Sequence, residues 1–99
     1  MDWFVYMIHC SDDSLYTGIS NDISKRYEQH CNLKGAKYFR GRRPKQLVYR
    51  EGGHTRSTAT KREAAIKKLS RKDKLQLLDS ETNEIRHLHG PSGLEVKND

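Results

Sequence analysis

Four side chains with acid, base or ionic chemistry occupy positions that the sequence pattern assigns to packed faces. Tyr6 lies within an apolar run, Arg26 and His30 fall on the inward stripe of one predicted helix, and Glu63 falls on that of another. Burying such groups costs free energy unless they are paired or functional. These side chains can exchange protons or neutralise anionic charge. Their joint occurrence on a strongly basic chain predicts a shared site.

The first of these helices is predicted to cover about Ile23 to His30. Asn21 or Asp22 can accept hydrogen bonds from the first free amides and so cap it. Spacings of three, four and seven residues bring positions onto one helical face. Arg26 and His30 therefore share the face of Ile23, where a purely structural helix would carry apolar residues.

A second helix is predicted to begin at Ser57 or Thr58 and to run to about Leu69. Glu63 and Ile66 lie on the same face of this helix, so a carboxylate again stands where an apolar side chain is expected. Taken singly, Glu63 could instead be a solvated acid that pairs with Lys67 one turn later. In the same way Arg26 could pair with an acid one turn earlier, and Tyr6 could be an ordinary strand aromatic.

Apolar runs and turn signals predict three strands and a last helix around these two. The strands are Trp3–Ile8, Leu15–Ile19 and Gln46–Arg50, the third ending at Gly52, and the last helix is Arg71 to about Leu78. Gly18, inside the second strand, indicates a bulge or a close approach of another group. The element order β-β-α-β-α-α predicts an α+β fold with a small three-stranded antiparallel sheet flanked by helices.

The domain organisation follows from length and composition. We expect one domain over residues 1–79 and a polar, loosely ordered C-terminal tail over residues 80–99. The chain has no run of about 18 apolar residues and no basic stretch followed by an apolar one near its start, so neither a membrane span nor a secretory signal is expected. Cys10 and Cys31 are expected to be free thiols, and the cytoplasm is the predicted location.

The positive charge is concentrated in the middle of the chain. Residues 25–75 hold 17 of the 19 lysines and arginines but only four of the 13 acids. Such a field attracts polyanions, of which nucleic acid is the commonest, although a solvated basic surface is the alternative. The basic loop 32–45 interleaves cations with aromatic side chains, a composition that suits phosphate contacts and base stacking. The predicted nucleic-acid-binding residues are Lys34, Lys37, Tyr38, Arg40, Arg42, Arg43, Lys67 and Lys68.

These features together resemble the GIY-YIG nuclease family, in particular its small stand-alone bacterial branch. Phe4-Val5-Tyr6 resembles the first half-motif, and Tyr16-Thr17-Gly18 resembles the second. The resemblance continues through the helix with Arg26 and His30, the loop 35–44 and the helix with Glu63, and it covers about residues 3–75. The half-motifs are short, so the order and spacing of all the parts carry most of the specificity.

The resemblance implies hydrolysis of a phosphodiester bond in nucleic acid with one divalent metal ion, Mg²⁺ or Mn²⁺. DNA is the expected substrate, and RNA or branched or single-stranded nucleic acid is the alternative. The resemblance also implies a catalytic set of Tyr6, Tyr16, Arg26, His30 and Glu63, with Glu63 as the metal ligand. Arg26 would hold the scissile phosphate. Tyr6, assisted by His30 or Tyr16, would deprotonate or orient the attacking water.

Two departures from the family pattern leave alternatives open. The first half-motif reads Phe-Val-Tyr rather than Gly-Ile-Tyr, and the last helix lacks the asparagine that larger members carry downstream of the glutamate. A nucleic-acid-binding module with little or no catalysis is therefore the alternative, and a basic adaptor of the ribosome or of another protein is a third class.

The pairs His9-Cys10 and His30-Cys31 could also bind zinc, although their spacing is unusual for it. A protein partner could supply specificity, and the oligomeric state is left open.

Overall fold

The computed structural model describes residues 2–32 and 37–86 of the 99-residue chain. Its sheet has three strands, β1 (Trp3–Cys10), β2 (Leu15–Ser20) and β3 (Pro44–His54). The order is β2-β1-β3 and both pairings are antiparallel. The helices are α1 (Ile23–Cys31), α2 (Arg56–Lys67) and α3 (Arg71–Leu78), with a short 3₁₀ turn (Lys37–Phe39) before β3. The predicted α+β class and the order β-β-α-β-α-α are confirmed.

The third strand is longer than the sequence indicated. Gly52 does not end β3, which continues to His54 opposite Trp3. Gly53 accommodates this continuation because it adopts a positive φ of 78°, which glycine tolerates without steric cost. The β1–β3 register also shifts at three places, so the alternation of faces that indicates a strand is interrupted along β3.

Polar caps fix where the helices begin. Asp22 caps α1 by accepting a hydrogen bond from the Lys25 amide at 3.1 Å, as predicted. The second helix begins at Arg56, earlier than predicted, because Thr55 and Thr58 cap each other's amides. None of the three α-helices in the described part of the chain combines the length and apolar character that a membrane span requires.

The sheet is covered on both faces, which explains why β1 is apolar along most of its length. One cluster packs Val5 and Met7 of β1 against Ala59 and Ile66 of α2. On the opposite face Tyr6 and Ile8, with Cys10, pack against Phe39 and the inner side of α1. The period-two alternation of β1 thus directs Tyr6 toward the α1 face.

Residues 80–86, which the sequence placed in the polar tail, lie along the outer edge of β3. Asn83 is only 2% exposed, and its amide group donates to the carbonyls of Val48 and Leu78 at 2.9 and 3.0 Å. Its carbonyl oxygen accepts from the amides of Arg50 and Ile85. The packed part of the chain therefore extends beyond residue 79, and the remainder of the predicted tail, 87–99, lies outside the described residues.

Replacing Asn83 with alanine is expected to lower the free energy of unfolding by about 2–4 kcal/mol, because several buried backbone groups lose their partners at once. That is a large share of the roughly 5–15 kcal/mol that stabilises a typical domain. Urea denaturation of the variant would measure it. The matched control is Asn21→Ala at an exposed position, which should stay near wild type. A loss in Asn83→Ala no larger than in the control would contradict a structural role for residues 80–86.

Candidate active site

Tyr6 lies at the centre of the sheet and is 1% exposed. It pairs with Gly18 of β2, and the Tyr6 ring covers that glycine closely. A Cβ atom built on Gly18 would lie 2.7 Å from the Tyr6 hydroxyl oxygen and 3.0 Å from Cε2 of Tyr16. The close approach expected at Gly18 is therefore present, and the approaching groups are the two tyrosines of the half-motifs.

His30 of α1 is fully buried and contacts Tyr6 directly. The Tyr6 hydroxyl and His30 Nε2 are 3.0 Å apart and form a hydrogen bond in which either atom can donate, depending on the imidazole tautomer. His30 Nδ1 has no hydrogen-bond partner among the described residues. A buried imidazole with one unsatisfied nitrogen is costly unless it is functional, so this pair stands out from the apolar packing around it.

Burial shifts the pKa values of these groups in opposite directions. Burial, together with Tyr16, raises the pKa of Tyr6, and the nearby Arg26 guanidinium only partly opposes this. Burial likewise raises the pKa of Tyr16. Burial and then the positive charge of Arg26 lower the pKa of His30 to about 4. Both members of the Tyr6–His30 pair are therefore neutral at pH 7.

The depressed pKa of His30 predicts a pH-dependent stability. Between its ordinary pKa of about 6.5 and its folded value of about 4, only the unfolded chain binds the proton, so stability falls as the pH drops through this window. The loss from this residue is expected to reach about 3 kcal/mol. Urea denaturation at pH 7 and pH 4.5 would measure the difference in the free energy of unfolding between the two pH values. We expect this difference to be much smaller in His30→Gln. An equal pH dependence in both proteins would assign the effect to other groups.

Aromatic rings surround the other side of His30. Tyr16 lies 5.3 Å from the imidazole between ring centroids, and Phe39 lies 4.4 Å from it. The Tyr38 ring packs against Tyr16 in a tilted arrangement, with the ring centroids 5.0 Å apart. Phe39 was not among the predicted site residues, although its position beside Tyr38 in the basic loop was a signal. The 3₁₀ turn thus closes the site and excludes water from the His30 side.

Arg26 and Glu63 bring opposite charges to the same tyrosines from different helices. The half-buried Arg26 donates to Gln29 Oε1 at 3.0 Å rather than forming the ion pair considered as its structural alternative. Glu63 has a carboxylate side chain 20% exposed and pairs with Lys67 at 3.3 Å. The Arg26 and Glu63 charges both act on Tyr6 and Tyr16. All five predicted catalytic residues are therefore brought together, and Gln29 is an addition that the sequence did not reveal.

The basic loop contributes cations of two kinds. Arg42 is held in place, with its guanidinium 4.0 Å from the Tyr38 ring centroid and its Nε 2.9 Å from Asp12. Arg40 and Arg43 are exposed and line a cavity of about 310 Å³ together with Arg42 and Ser11. The remaining predicted contacts in the described ranges are also exposed: Lys37, Lys67 and Lys68. Lys34 lies outside the described residues.

No metal-binding cluster of three or more histidine, cysteine or acidic side chains occurs in residues 2–32 and 37–86. Cys10 is buried and its thiol donates to the Ile8 carbonyl, whereas Cys31 is exposed; both are free thiols, as predicted. His9 bonds instead to Asp13 at 2.6 Å. The zinc alternative from the two His-Cys pairs therefore finds no support.

A family model described as the GIY-YIG catalytic domain matches residues 2–76, which include every element that builds this site. The chain belongs to the GIY-YIG family. The matched range ends just before the close of α3, so the segment 80–86 that covers the edge of β3 lies beyond the GIY-YIG match.

Small bacterial proteins of the same family resemble the chain over most of its length. A UPF0213 protein of Desulfotalea psychrophila is 46% identical over 91 residues, which cover 91% of this chain and 83% of that protein. A UPF0213 protein of Staphylococcus saprophyticus is 52% identical over 75 residues, covering 76% of this chain and 92% of that protein. The solution NMR structure of the UPF0213 protein of Bacillus halodurans is 36% identical, with a TM-score of 0.55 over 89% of this chain and 94% of that one. This GIY-YIG protein thus falls in the small stand-alone branch that its sequence indicated.

Proposed function

We propose that this protein is a metal-dependent nuclease that hydrolyses phosphodiester bonds in nucleic acid, DNA in preference to RNA. The observation that carries the proposal is the buried Tyr6–His30 hydrogen bond, set beside the charges of Arg26 and Glu63 in a GIY-YIG domain. Among the described residues, the fully buried His30 imidazole leaves Nδ1 without a hydrogen-bond partner, which costs free energy at a purely structural position. A site that handles protons and a phosphate does account for it.

The charge of each side chain in the site determines the role we propose for it. Arg26 neutralises the charge that develops on the phosphate oxygens, and its contact with Gln29 limits its freedom. His30 is neutral, so its Nε2 can accept the Tyr6 hydroxyl proton in a hydrogen bond. With its proton directed to His30, the Tyr6 oxygen would accept a hydrogen bond from the attacking water and so orient it. The raised pKa of Tyr6 makes the phenol a positioning group in the free protein rather than a ready base.

The donor set at Glu63 fits magnesium or manganese and does not fit zinc. A single, partly exposed carboxylate is the protein contribution typical of Mg²⁺, which keeps several waters and takes phosphate oxygens as further ligands. Glu63 would hold the ion, and its ion pair with Lys67 would have to break first. The bound metal would supply Lewis-acid stabilisation of the leaving oxygen.

The exposed cations beside the site form the surface that would bind the phosphate backbone of the substrate. Arg40 and Arg43 lie in the basic loop, and Lys67 and Lys68 extend the positive surface at the end of α2. Contacts to phosphate position a strand without reading its sequence, so we propose that the protein itself has little sequence specificity. A protein partner could supply more, and a cytoplasmic location stays a prediction.

The second candidate is a nucleic-acid-binding module with little catalysis. The observation that favours it is that α3 carries no asparagine. Asn83, the first asparagine after Glu63, lies beyond α3 and is engaged with backbone groups at β3. Both candidates predict binding that weakens with salt, so binding alone does not separate them.

Cleavage assays separate the two candidates. Purified protein is incubated with single-stranded, duplex and branched DNA and RNA, with Mg²⁺, Mn²⁺ or a chelator. We expect metal-dependent cleavage of at least one substrate, and a loss of about 100-fold or more in kcat in Arg26→Ala. The matched control is Lys25→Ala, which removes an exposed cation from the preceding position of α1. Binding without cleavage of any substrate by the wild type would leave the binding module.

A further inference from the structure

A second polar network, separate from the candidate site, joins β3 to α2. Glu51 of β3, whose side chain is 14% exposed, accepts hydrogen bonds from the Tyr49 hydroxyl and from His54 Nε2 at 2.7 Å. Arg62 Nε of α2 donates to both Glu51 carboxylate oxygens at 3.1 Å. His54 Nδ1 in turn bonds to Thr58 Oγ1 in the first turn of α2. A nearly buried carboxylate thus links β3 to the helix that carries Glu63.

Helical geometry connects this network to the candidate metal ligand. Arg62 and Glu63 are successive residues, so they lie about 100° apart around the helix axis. They fall on either side of the stripe formed by Ala59 and Ile66, the two buried residues of α2. A rotation of α2 that moved Arg62 away from Glu51 would therefore move Glu63 by the same angle.

Apolar packing alone only weakly fixes the rotational position of α2 about its axis. Only Ala59 and Ile66 are buried along the 12 residues of α2, and alanine offers little side chain to interlock with the sheet. The contact between Arg62 and Glu51 is directional, and the Glu51 carboxylate is largely shielded from solvent, whereas the Arg62 side chain is 33% exposed. Burial alone would raise the pKa of Glu51, but the bonds from Tyr49, His54 and Arg62 outweigh it and hold the pKa below its usual range. The carboxylate is therefore ionised in the neutral range.

We propose that Glu51 is a positioning residue, which fixes the rotation of α2 through Arg62 and thereby directs Glu63 toward Tyr6 and Tyr16. The inference rests on the proposed metal-dependent reaction for its catalytic consequence, but its structural content stands independently. Glu51 and Arg62 were not among the residues that the sequence singled out, because neither belongs to a half-motif or to the inward stripe.

The test measures the helix, the metal and the reaction separately. The rotation of α2 is measured in Glu51→Gln and Arg62→Met by residual dipolar couplings of the backbone amides. Along a helix these couplings oscillate with the helical period, and the phase of the oscillation reports the rotation of the helix about its axis. We expect this phase to shift in both variants while that of α1 does not. Mn²⁺ binding, followed by electron paramagnetic resonance, should weaken about tenfold or more, and kcat should fall by a similar factor with KM little changed. The matched control is Lys61→Met, which removes an exposed cation from the preceding position of α2.

The double variant and a conservative one complete the design. Because both residues act through one contact, Glu51→Gln with Arg62→Met should bind Mn²⁺ no more weakly than the weaker single variant. Arg62→Lys keeps a cation in reach of Glu51 and serves if Arg62→Met does not fold; it should show a smaller phase shift. An unchanged α2 phase in the folded variants would overturn the proposal, whatever their activity. If the wild type cleaves nothing and the phase still shifts, the proposed function fails and the positioning role of Glu51 stands.

Discussion

Replacing Glu63 with glutamine is expected to lower kcat by about a thousandfold or more while nucleic-acid binding is retained. The carboxylate is the only acidic side chain assigned to the candidate site, and an amide oxygen is a far weaker ligand for Mg²⁺. A thousandfold loss corresponds to about 4 kcal/mol of transition-state stabilisation, a size consistent with loss of a Lewis acid. The measurement is single-turnover cleavage at saturating metal, with binding followed by fluorescence anisotropy.

The control for Glu63→Gln is Glu81→Gln, an exposed acid outside the site, which should cleave like the wild type. Because the substitution removes a negative charge next to Lys67, binding to nucleic acid should be unchanged or slightly tighter. Cleavage by Glu63→Gln within tenfold of the wild type would mean that the metal ion, if one is used, is held elsewhere.

The second large effect is expected at Gly18, where alanine should reduce kcat by about 100-fold or more. An added Cβ would lie 2.7 Å from the Tyr6 hydroxyl oxygen and 2.8 Å from Cζ, so the ring must move, and its hydrogen bond to His30 must break or lengthen. A misplacement of about 1 Å at a reacting group can cost about 100-fold in rate. Overpacking should also lower the free energy of unfolding by about 1–3 kcal/mol.

Gly41→Ala is the matched control, because no atom lies within 4 Å of a Cβ built at that position. Cleavage is compared at a temperature where circular dichroism shows both variants folded. Wild-type kcat in folded Gly18→Ala would show that the position of Tyr6 does not limit the reaction, and the role proposed for the Tyr6–His30 pair would then be withdrawn.

The fold was accessible from the sequence because periodicity and capping agree in most elements. β1 and α1 are short, strongly patterned and bounded by polar turns, so their positions were predicted to within two residues. β3 was predicted too short, because a glycine pair usually ends a strand. Here the strand continues through the pair, since Gly53 adopts a positive φ. The start of α2 was misplaced because three hydroxyl residues within one turn, Thr55, Ser57 and Thr58, could each cap it, and only the tertiary path selects Thr55.

The candidate site was predictable only where polar residues interrupt an apolar pattern. Arg26, His30 and Glu63 were visible for that reason, as was the close approach at Gly18. Glu51 and Arg62 were not visible, because a charged residue on a half-exposed strand or helix looks like ordinary surface until its partner is known. Arg42 and Tyr38 were predicted as contacts for nucleic acid, whereas their contact with each other depends on the fold of the loop.

The segment that covers the outer edge of β3 also bears on how the protein behaves at high concentration. The outward-facing backbone groups of Val48, Arg50 and Gly52 bond to Asn83 and Glu84. Without that cover, an edge strand offers a row of free donors and acceptors on which strands of other molecules can add. A fusion partner joined after residue 86 would leave the cover intact. One joined after residue 79 would expose the edge and favour intermolecular sheet growth and aggregation.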